Sequence, residues 1–139
     1  MILVSSCLLG ENCKYNGGNN KNESVIKYLE GKEYIAVCPE TFAGLKSPRL
    51  PAEIVGEKVL LKDGTDVTCE FLAGAEITAQ IAEKYGATEA ILKESSPSCG
   101  CNMIYDGTHS GKKISGMGIT AKILSDMGIS VKSEKDLEK

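Results

Sequence analysis

The chain of 139 residues gathers no positive charge in one place and contains no long hydrophobic run. Its formal net charge is −3, and its lysines are scattered rather than grouped in the basic stripe that binds a phosphate backbone. Binding to nucleic acid is therefore not expected. The apolar start, 1–4, lacks a preceding cationic region, and no later run approaches the length that spans a bilayer. We therefore expect a cytoplasmic protein with no membrane segment.

Only one histidine is present, and no two cysteines have the Cys-x-x-Cys spacing, although the chain has six cysteines. Structural zinc usually draws on such pairs or on histidines. In the reducing cytoplasm a disulfide framework is also the weaker interpretation. Small buried thiols and ligands to a soft metal remain as explanations. The six cysteines are Cys7, Cys13, Cys38, Cys69, Cys99 and Cys101.

Short apolar segments alternate with segments of helical periodicity. Strands are predicted at 2–6, 33–37, 89–93 and 129–132, and helices at 24–30, 68–85 and 119–127. This alternation predicts an α/β fold: one single domain over 1–139, with a mostly parallel, open, Rossmann-like sheet and helices on both faces. Asp63-Gly64 lies between segments 57–61 and 65–67 and predicts a small hairpin in addition.

Three cysteines follow three of the predicted strands. Cys7 and Cys38 come directly after the first two strands, and Cys99 lies in the loop 95–101 after the third. Ligands of open α/β sheets bind beyond the carboxyl ends of the strands, so we expect these thiols to converge. The second and third loops also hold all four prolines, which stiffen loops and favour a preorganised ligand set. The prolines are Pro39, Pro48, Pro51 and Pro97.

Scattered thiolates are typical ligands of iron–sulfur clusters, and three of them on a cubane leave one iron open as a Lewis acid. Spacing alone does not separate iron from zinc.

Four motifs add to this pattern. They are Cys7-Leu8-Leu9-Gly10, Cys38-Pro39-Glu40, Pro48-Arg49-Leu50-Pro51-Ala52-Glu53-Ile54 and Ser96-Pro97-Ser98-Cys99-Gly100. In this order they resemble the TudS-like thiouracil desulfurase family, and the resemblance extends from residue 2 to about residue 132.

The resemblance implies a 4Fe-4S cluster held by Cys7, Cys38 and Cys99, whose fourth iron takes the sulfur of a thiolated base. It implies catalytic roles for Glu40 and Ser96. The implied activity is a non-redox desulfurase that acts on the carbon–sulfur bond of a thiolated pyrimidine such as thiouracil.

The chain departs from the family pattern at three places. It has Ala43 where a glycine is usual, Asn16 where aspartate is common, and His109 where an aromatic is more usual. The single histidine is therefore not expected to be catalytic. These changes bear on substrate identity more than on cluster binding.

Several further residues have two interpretations. Cys13 is a structural thiol, or else a sulfur acceptor or reserve ligand, whereas Cys69 is interpreted as a hydrophobic side chain on a helix face. Cys101 is expected not to be a ligand. Arg49 either pairs with a buried carboxylate or meets substrate. The glycines of 116–118 could offer N–H groups to an anion at a helix start.

Two other classes of protein remain open. The first is a sulfide- or metal-handling binding protein without ring-desulfurating activity. The second is a zinc-stabilised or thiol-rich interaction domain. Neither the sulfide acceptor nor the oligomeric state is indicated by the sequence.

Overall fold

The computed structural model describes residues 1–46 and 49–137, so Pro48 of the third motif lies outside the described residues. The strands in chain order are β1 (Ile2–Ser5), β2 (Tyr34–Val37), β3 (Ala52–Val55), β4 (Lys58–Leu61), β5 (Glu89–Leu92), β6 (Met103–Tyr105), β7 (Lys113–Ser115) and β8 (Ser130–Ser133). The helices are α1 (Glu23–Leu29), α2 (Pro39–Phe42), α3 (Thr68–Tyr85), α4 (Ile119–Asp126) and α5 (Glu134–Leu137), with a 3₁₀ turn at Ser6–Leu9.

The main sheet has four parallel strands in the order β2-β1-β5-β8. Side chains alternate between its faces, as the two-residue period of a strand requires. Leu3 packs in a cluster with Leu124 of α4, whereas Val4 packs with Val25 and Leu29 of α1. The predicted parallel sheet with helices on both faces is therefore confirmed.

The strand order creates a switch point at the middle of the sheet. The chain begins in β1, crosses to β2 on one side, and later returns to β5 on the other side. Loops that leave β1 and β5 therefore diverge at the carboxyl edge and open a crevice between them. This edge is where the predicted site lies.

The hairpin predicted at Asp63-Gly64 is present but short. Leu60 forms an antiparallel bridge with Asp66, and the N–H groups of Leu61 and Val67 donate to the carbonyls of Thr65 and Val59. The pairing ends there because the chain enters α3 at Thr68. Two further antiparallel pairs were not predicted. They are β3 with β4, joined at 56–57, where Gly56 has φ +64 and supplies the left-handed turn conformation, and β6 with β7.

No helix among the described residues is both long and apolar enough to cross a membrane.

Candidate active site

A cavity of about 410 Å³ opens at the carboxyl edge of the main sheet. Its wall includes all five residues that the sequence indicated for the site, and Cys13 as well. This volume lies within the usual range for small-molecule sites. The five predicted residues are Cys7, Cys38, Cys99, Glu40 and Ser96.

Cys7 is presented by the 3₁₀ turn that follows β1. The turn ends at Gly10, whose φ of 103° lies in the left-handed region. Asn20 covers Cys7. The Asn20 side-chain amide donates to Cys7 Sγ at 3.5 Å, and the Asn20 backbone N–H donates to the Cys7 carbonyl at 2.9 Å. The polar loop after Cys7 thus folds back and orients the thiol.

Cys38 is the residue before the first turn of α2, with Pro39 at the first helical position. The Thr41 hydroxyl donates to Cys38 Sγ at 3.1 Å. Helix α2 lies against α3 at Gly74, where a Cβ atom would stand 2.0 Å from the Pro39 carbonyl oxygen. Only glycine permits this approach, which places Cys38 at the cavity.

Cys99 is buried, with 4% of its surface exposed. Its loop is closed by the Ser96 hydroxyl, which accepts hydrogen bonds from the backbone N–H groups of Ser98 and Cys99 at 3.2 and 3.1 Å. The preceding residue, Ser95, has φ +68, an uncommon conformation for a residue other than glycine. The Ser96 hydroxyl therefore stabilises the loop that carries Cys99, independently of any contact with substrate.

The start of α4 holds the same loop through backbone hydrogen bonds. The N–H groups of Gly118, Ile119 and Ala121 donate to the carbonyls of Gly100, Pro97 and Ser98. These three N–H groups have partners within the protein, which argues against anion binding at this helix start.

Cys13 interacts with two of the predicted ligands. Its single S–H proton is shared with the sulfurs of Cys38 and Cys7, and this interaction lowers the pKa of Cys38 to about 6 and lowers that of Cys7 too. The pKa of Cys13 itself is raised by the same interaction. Burial raises the pKa of Cys99 to about 12. Two of the three thiols thus favour the thiolate that metals bind, while Cys99 needs a cation nearby to ionise.

Glu40 stands between a cation and a hydroxyl. Its Oε1 lies 3.3 Å from Arg49 Nη2, and its Oε2 accepts a hydrogen bond from Ser98 Oγ at 3.3 Å. Ser98 Oγ in turn lies 3.0 Å from Ser96 Oγ. Of the two interpretations of Arg49, the structure therefore supports the pairing with a carboxylate.

The other two cysteines do not line the cavity. Cys101 contacts Glu94, with 3.9 Å between its sulfur and Oε2, and burial raises the pKa of its thiol to about 12. Cys69 is exposed on α3, so its assignment as a hydrophobic side chain on a packed helix face was wrong. The helical period alone could not decide this, because Cys69 adjoins the packed stripe that includes Phe71.

Glu53 and Glu94 hold loop backbone through hydrogen bonds. Glu53 accepts from the Gly107 and His109 N–H groups, and His109 Nδ1 lies 3.5 Å from its carboxylate with no hydrogen bond. Burial by itself would raise the pKa of Glu94, but N–H donors from Met103, Asn102 and Ser95 bring it to about 2. The Glu94 carboxylate is therefore held by hydrogen bonds to the backbone of Ser95, Asn102 and Met103.

Sequence reasoning gave no role to several residues of the site. Lys93 follows β5 directly and lines the cavity, with its ammonium 3.0 Å from Glu134. Its position after a central strand was a signal that could have identified it. Tyr105 and Lys113 come from the hairpin β6–β7, which was not predicted.

The donor set is of the kind that holds an iron–sulfur cluster. Within 1–46 and 49–137, no three histidine, cysteine, aspartate or glutamate side chains are grouped closely enough to hold one metal ion. Each thiolate of a cubane binds a different iron, so the ligands surround the cluster rather than meet at one point. Three cysteines on separate loops around one cavity suit that arrangement.

Fold and site together define a class: a parallel α/β domain with a cysteine-rich cavity at the switch point. The model of the 2-thiouracil desulfurase family matches residues 2–136, and the chain belongs to this family. It is similar to the Bacillus subtilis (strain 168) uncharacterized protein YbbK, with 44% identity over 99% of this chain and 97% of that one. It is also similar to a solved [4Fe-4S]-dependent thiouracil desulfidase, TudS, with 42% identity and a TM-score of 0.92, over 99% of this chain and 92% of the other.

Proposed function

We propose that this protein is an iron–sulfur-dependent desulfurase that converts a thiolated pyrimidine such as thiouracil into its carbonyl counterpart. The observation that carries the proposal is the convergence of Cys7, Cys38 and Cys99 with Glu40 on one cavity. Membership of the 2-thiouracil desulfurase family and the likeness to a [4Fe-4S]-dependent desulfidase support it. The reaction consumes water and releases sulfide, so it needs neither an oxidant nor a reductant.

In the proposal the three thiolates hold a 4Fe-4S cluster. When bound, such a cluster supplies an open iron, a Lewis acid with affinity for the substrate's sulfur. The protein contributes the orientation of its ligands: Asn20 donates to Cys7 Sγ, and Thr41 donates to Cys38 Sγ. Hydrogen bonds of this kind favour the thiolate form and hold each sulfur in one direction.

Glu40 is the proposed general base. One oxygen faces Arg49 and the other faces Ser98, and a carboxylate retains further lone pairs that can accept a proton from water. The water then attacks the carbon that bears sulfur, and the proton stays on Glu40 until the products leave. Ser96 is proposed to orient the substrate ring. Its hydroxyl lies at the cavity wall, 3.0 Å from that of Ser98.

The six cysteines are free. Free thiols at a cluster site persist in a reducing compartment, which supports the proposed cytoplasmic location.

The test is turnover by anaerobically purified protein with measured iron and sulfide. We expect a brown protein that releases uracil and sulfide from thiouracil over many cycles. A brown protein that takes up sulfide without releasing uracil would indicate a sulfide-handling binding protein instead. A colourless protein with stoichiometric zinc would contradict the cluster itself.

A further inference from the structure

Arg49 is the only arginine of the chain, and it lies at the junction of two walls of the cavity. One wall is the loop 13–15, which contributes Cys13, Lys14 and Tyr15 to the lining. The other is α2 with Glu40. Arg49 itself is not among the lining residues. It therefore acts on the site through other residues.

The contacts of Arg49 to the first wall are made by both its backbone and its side chain. The Arg49 backbone N–H donates to the Tyr15 carbonyl. Its Nη2 donates to the Cys13 carbonyl at 3.3 Å. Two carbonyls two residues apart are thus held by one residue 34 to 36 positions away in the chain.

The contacts to the second wall come from the same guanidinium. Nη2 lies 3.3 Å from Glu40 Oε1, and Nη1 donates to the Lys46 carbonyl at 3.1 Å. The side chains of Arg49 and Glu40 are 10% and 19% exposed, so solvent screens this pair less than a surface ion pair. The planar fork of arginine makes these contacts at once, whereas a lysine ammonium offers a single point of charge.

We infer that Arg49 is a positioning residue of the proposed desulfurase: it sets the Glu40 carboxylate and the Cys13–Tyr15 wall in one fixed relation. The inference depends on the proposed function for its catalytic consequence. Its structural consequence, the coupling of the loop 13–15 to α2, does not depend on the reaction.

The experiment compares Arg49→Lys, which keeps the charge, with Arg49→Met, which removes charge and fork. Lys46→Met is the control for loss of a charge in the same loop, since the Lys46 side chain is exposed. Each protein is isolated with its cluster under anaerobic conditions. Hydrogen–deuterium exchange is followed for backbone amides in 13–18 and, as an internal reference, in 79–85 of α3.

We expect both Arg49 variants to exchange about tenfold faster in 13–18, the change that loss of one hydrogen bond to a charged group produces. Exchange in 79–85 and iron content should stay at the wild-type values. With thiouracil, kcat should fall by about tenfold while KM stays within about twofold, since ring binding is retained and the base is misplaced. Lys46→Met should match the wild type in each measurement.

Wild-type exchange and wild-type kcat in Arg49→Lys would overturn the inference. A positive charge alone would then be enough to position Glu40 and the loop 13–15. A fall in thermal stability with unchanged exchange and kcat would also overturn it, since Arg49 would be merely structural. If the wild type does not turn over thiouracil, the proposed function fails, and exchange in 13–18 still decides whether Arg49 couples the two walls.

Discussion

Ser98 donates a hydrogen bond to Glu40 across 3.3 Å, although the two residues are 58 positions apart in the chain. Ser98 is 1% exposed, and its hydroxyl also lies 3.7 Å from Cys99 Sγ. The contact joins the loop that carries Cys99 to helix α2, which follows Cys38. It thus connects the proposed base to the loop of a predicted cluster ligand.

Replacement of Ser98 by alanine removes this connection. Glu40 then keeps Arg49 as a partner but loses the donor to its second oxygen, so its orientation is less restricted. We expect turnover of thiouracil to fall by about tenfold, the effect of one hydrogen bond to a charged group. Iron content should be unchanged, as measured by iron analysis and absorption. Loss of the cluster in Ser98→Ala would mean instead that its contact with Cys99 is the dominant one.

Glu40→Gln tests the base directly. The amide keeps the size of the side chain but cannot take a proton from water. Turnover of a thiolated pyrimidine should fall by about 10²–10⁴-fold, the usual contribution of a general base. The cluster spectrum should not change, and the exposed Glu57→Gln should behave as wild type. If Glu40→Gln turns over normally, the base lies elsewhere, and Glu94 is a poor substitute because backbone N–H groups occupy its carboxylate.

Single serine replacements of the six cysteines separate ligands from the rest. Replacement of Cys7, Cys38 or Cys99 should lose the chromophore or make it labile, because a hydroxyl is a poor iron ligand. The same change at Cys69 or Cys101, which lie away from the cavity lining, should leave the spectrum intact. A bleached Cys101→Ser protein beside a brown Cys99→Ser protein would show that the ligand of this loop was misassigned.

Cys13→Ser is a separate case, since this thiol contacts two predicted ligands. It should retain the cluster, because Cys13 is not expected to bind iron. In cluster-free protein, its replacement by alanine should raise the pKa of Cys38 from about 6 toward that of an ordinary thiol. Alkylation of Cys38 at pH 7 should then slow by at least about tenfold, since less thiolate is present. Unchanged alkylation would show that Thr41 alone holds the thiolate.

Gly118 and Gly116 form a matched pair of alanine substitutions. A Cβ at Gly118 would lie 2.5 Å from the Ser98 carbonyl carbon, so the backbone beside Cys99 must move. A Cβ at Gly116 would meet the end of the Ile104 side chain at 3.0 Å, which can rotate away. We expect Gly118→Ala to destabilise the fold by about 1–3 kcal/mol and to weaken cluster retention, with a smaller effect for Gly116→Ala. Urea unfolding and iron content measure both effects.

Glu94 predicts a pH dependence of stability. Its folded pKa of about 2 lies below the reference value of 4.5, so the ionised form stabilises the fold above pH 4.5. This contribution is lost as the pH falls from 4.5 through about 2. Urea unfolding of cluster-free protein should show the loss in the wild type and in Glu83→Gln, an exposed control. In Glu94→Gln the slope should be much smaller; an unchanged slope would assign the effect to another carboxylate.

The elements with strong local signals were predicted closely. Helix α3 runs from Thr68 to Tyr85, the range that apolar periodicity and the following Gly86 indicated. The four strands of the main sheet were placed to within a residue or so, because each is a short apolar run bounded by turn residues. The β3–β4 pair was missed, because Gly56-Glu57 is a weaker turn signal than the Asp63-Gly64 that follows β4.

The amino-acid sequence by itself determined the α/β class, the alternation that makes the sheet parallel, and the positions of three cysteines at strand ends. These follow from local periodicity and from the rule that parallel strands share a carboxyl edge. Tertiary structure decided the partners of each polar group. Cys13 beside Cys7 and Cys38, Arg49 on Glu40 and Ser98 on Glu40 are contacts between distant segments. No spacing along the chain encodes such contacts, because the packing of loops 13–20, 39–46 and 95–101 against one another sets them.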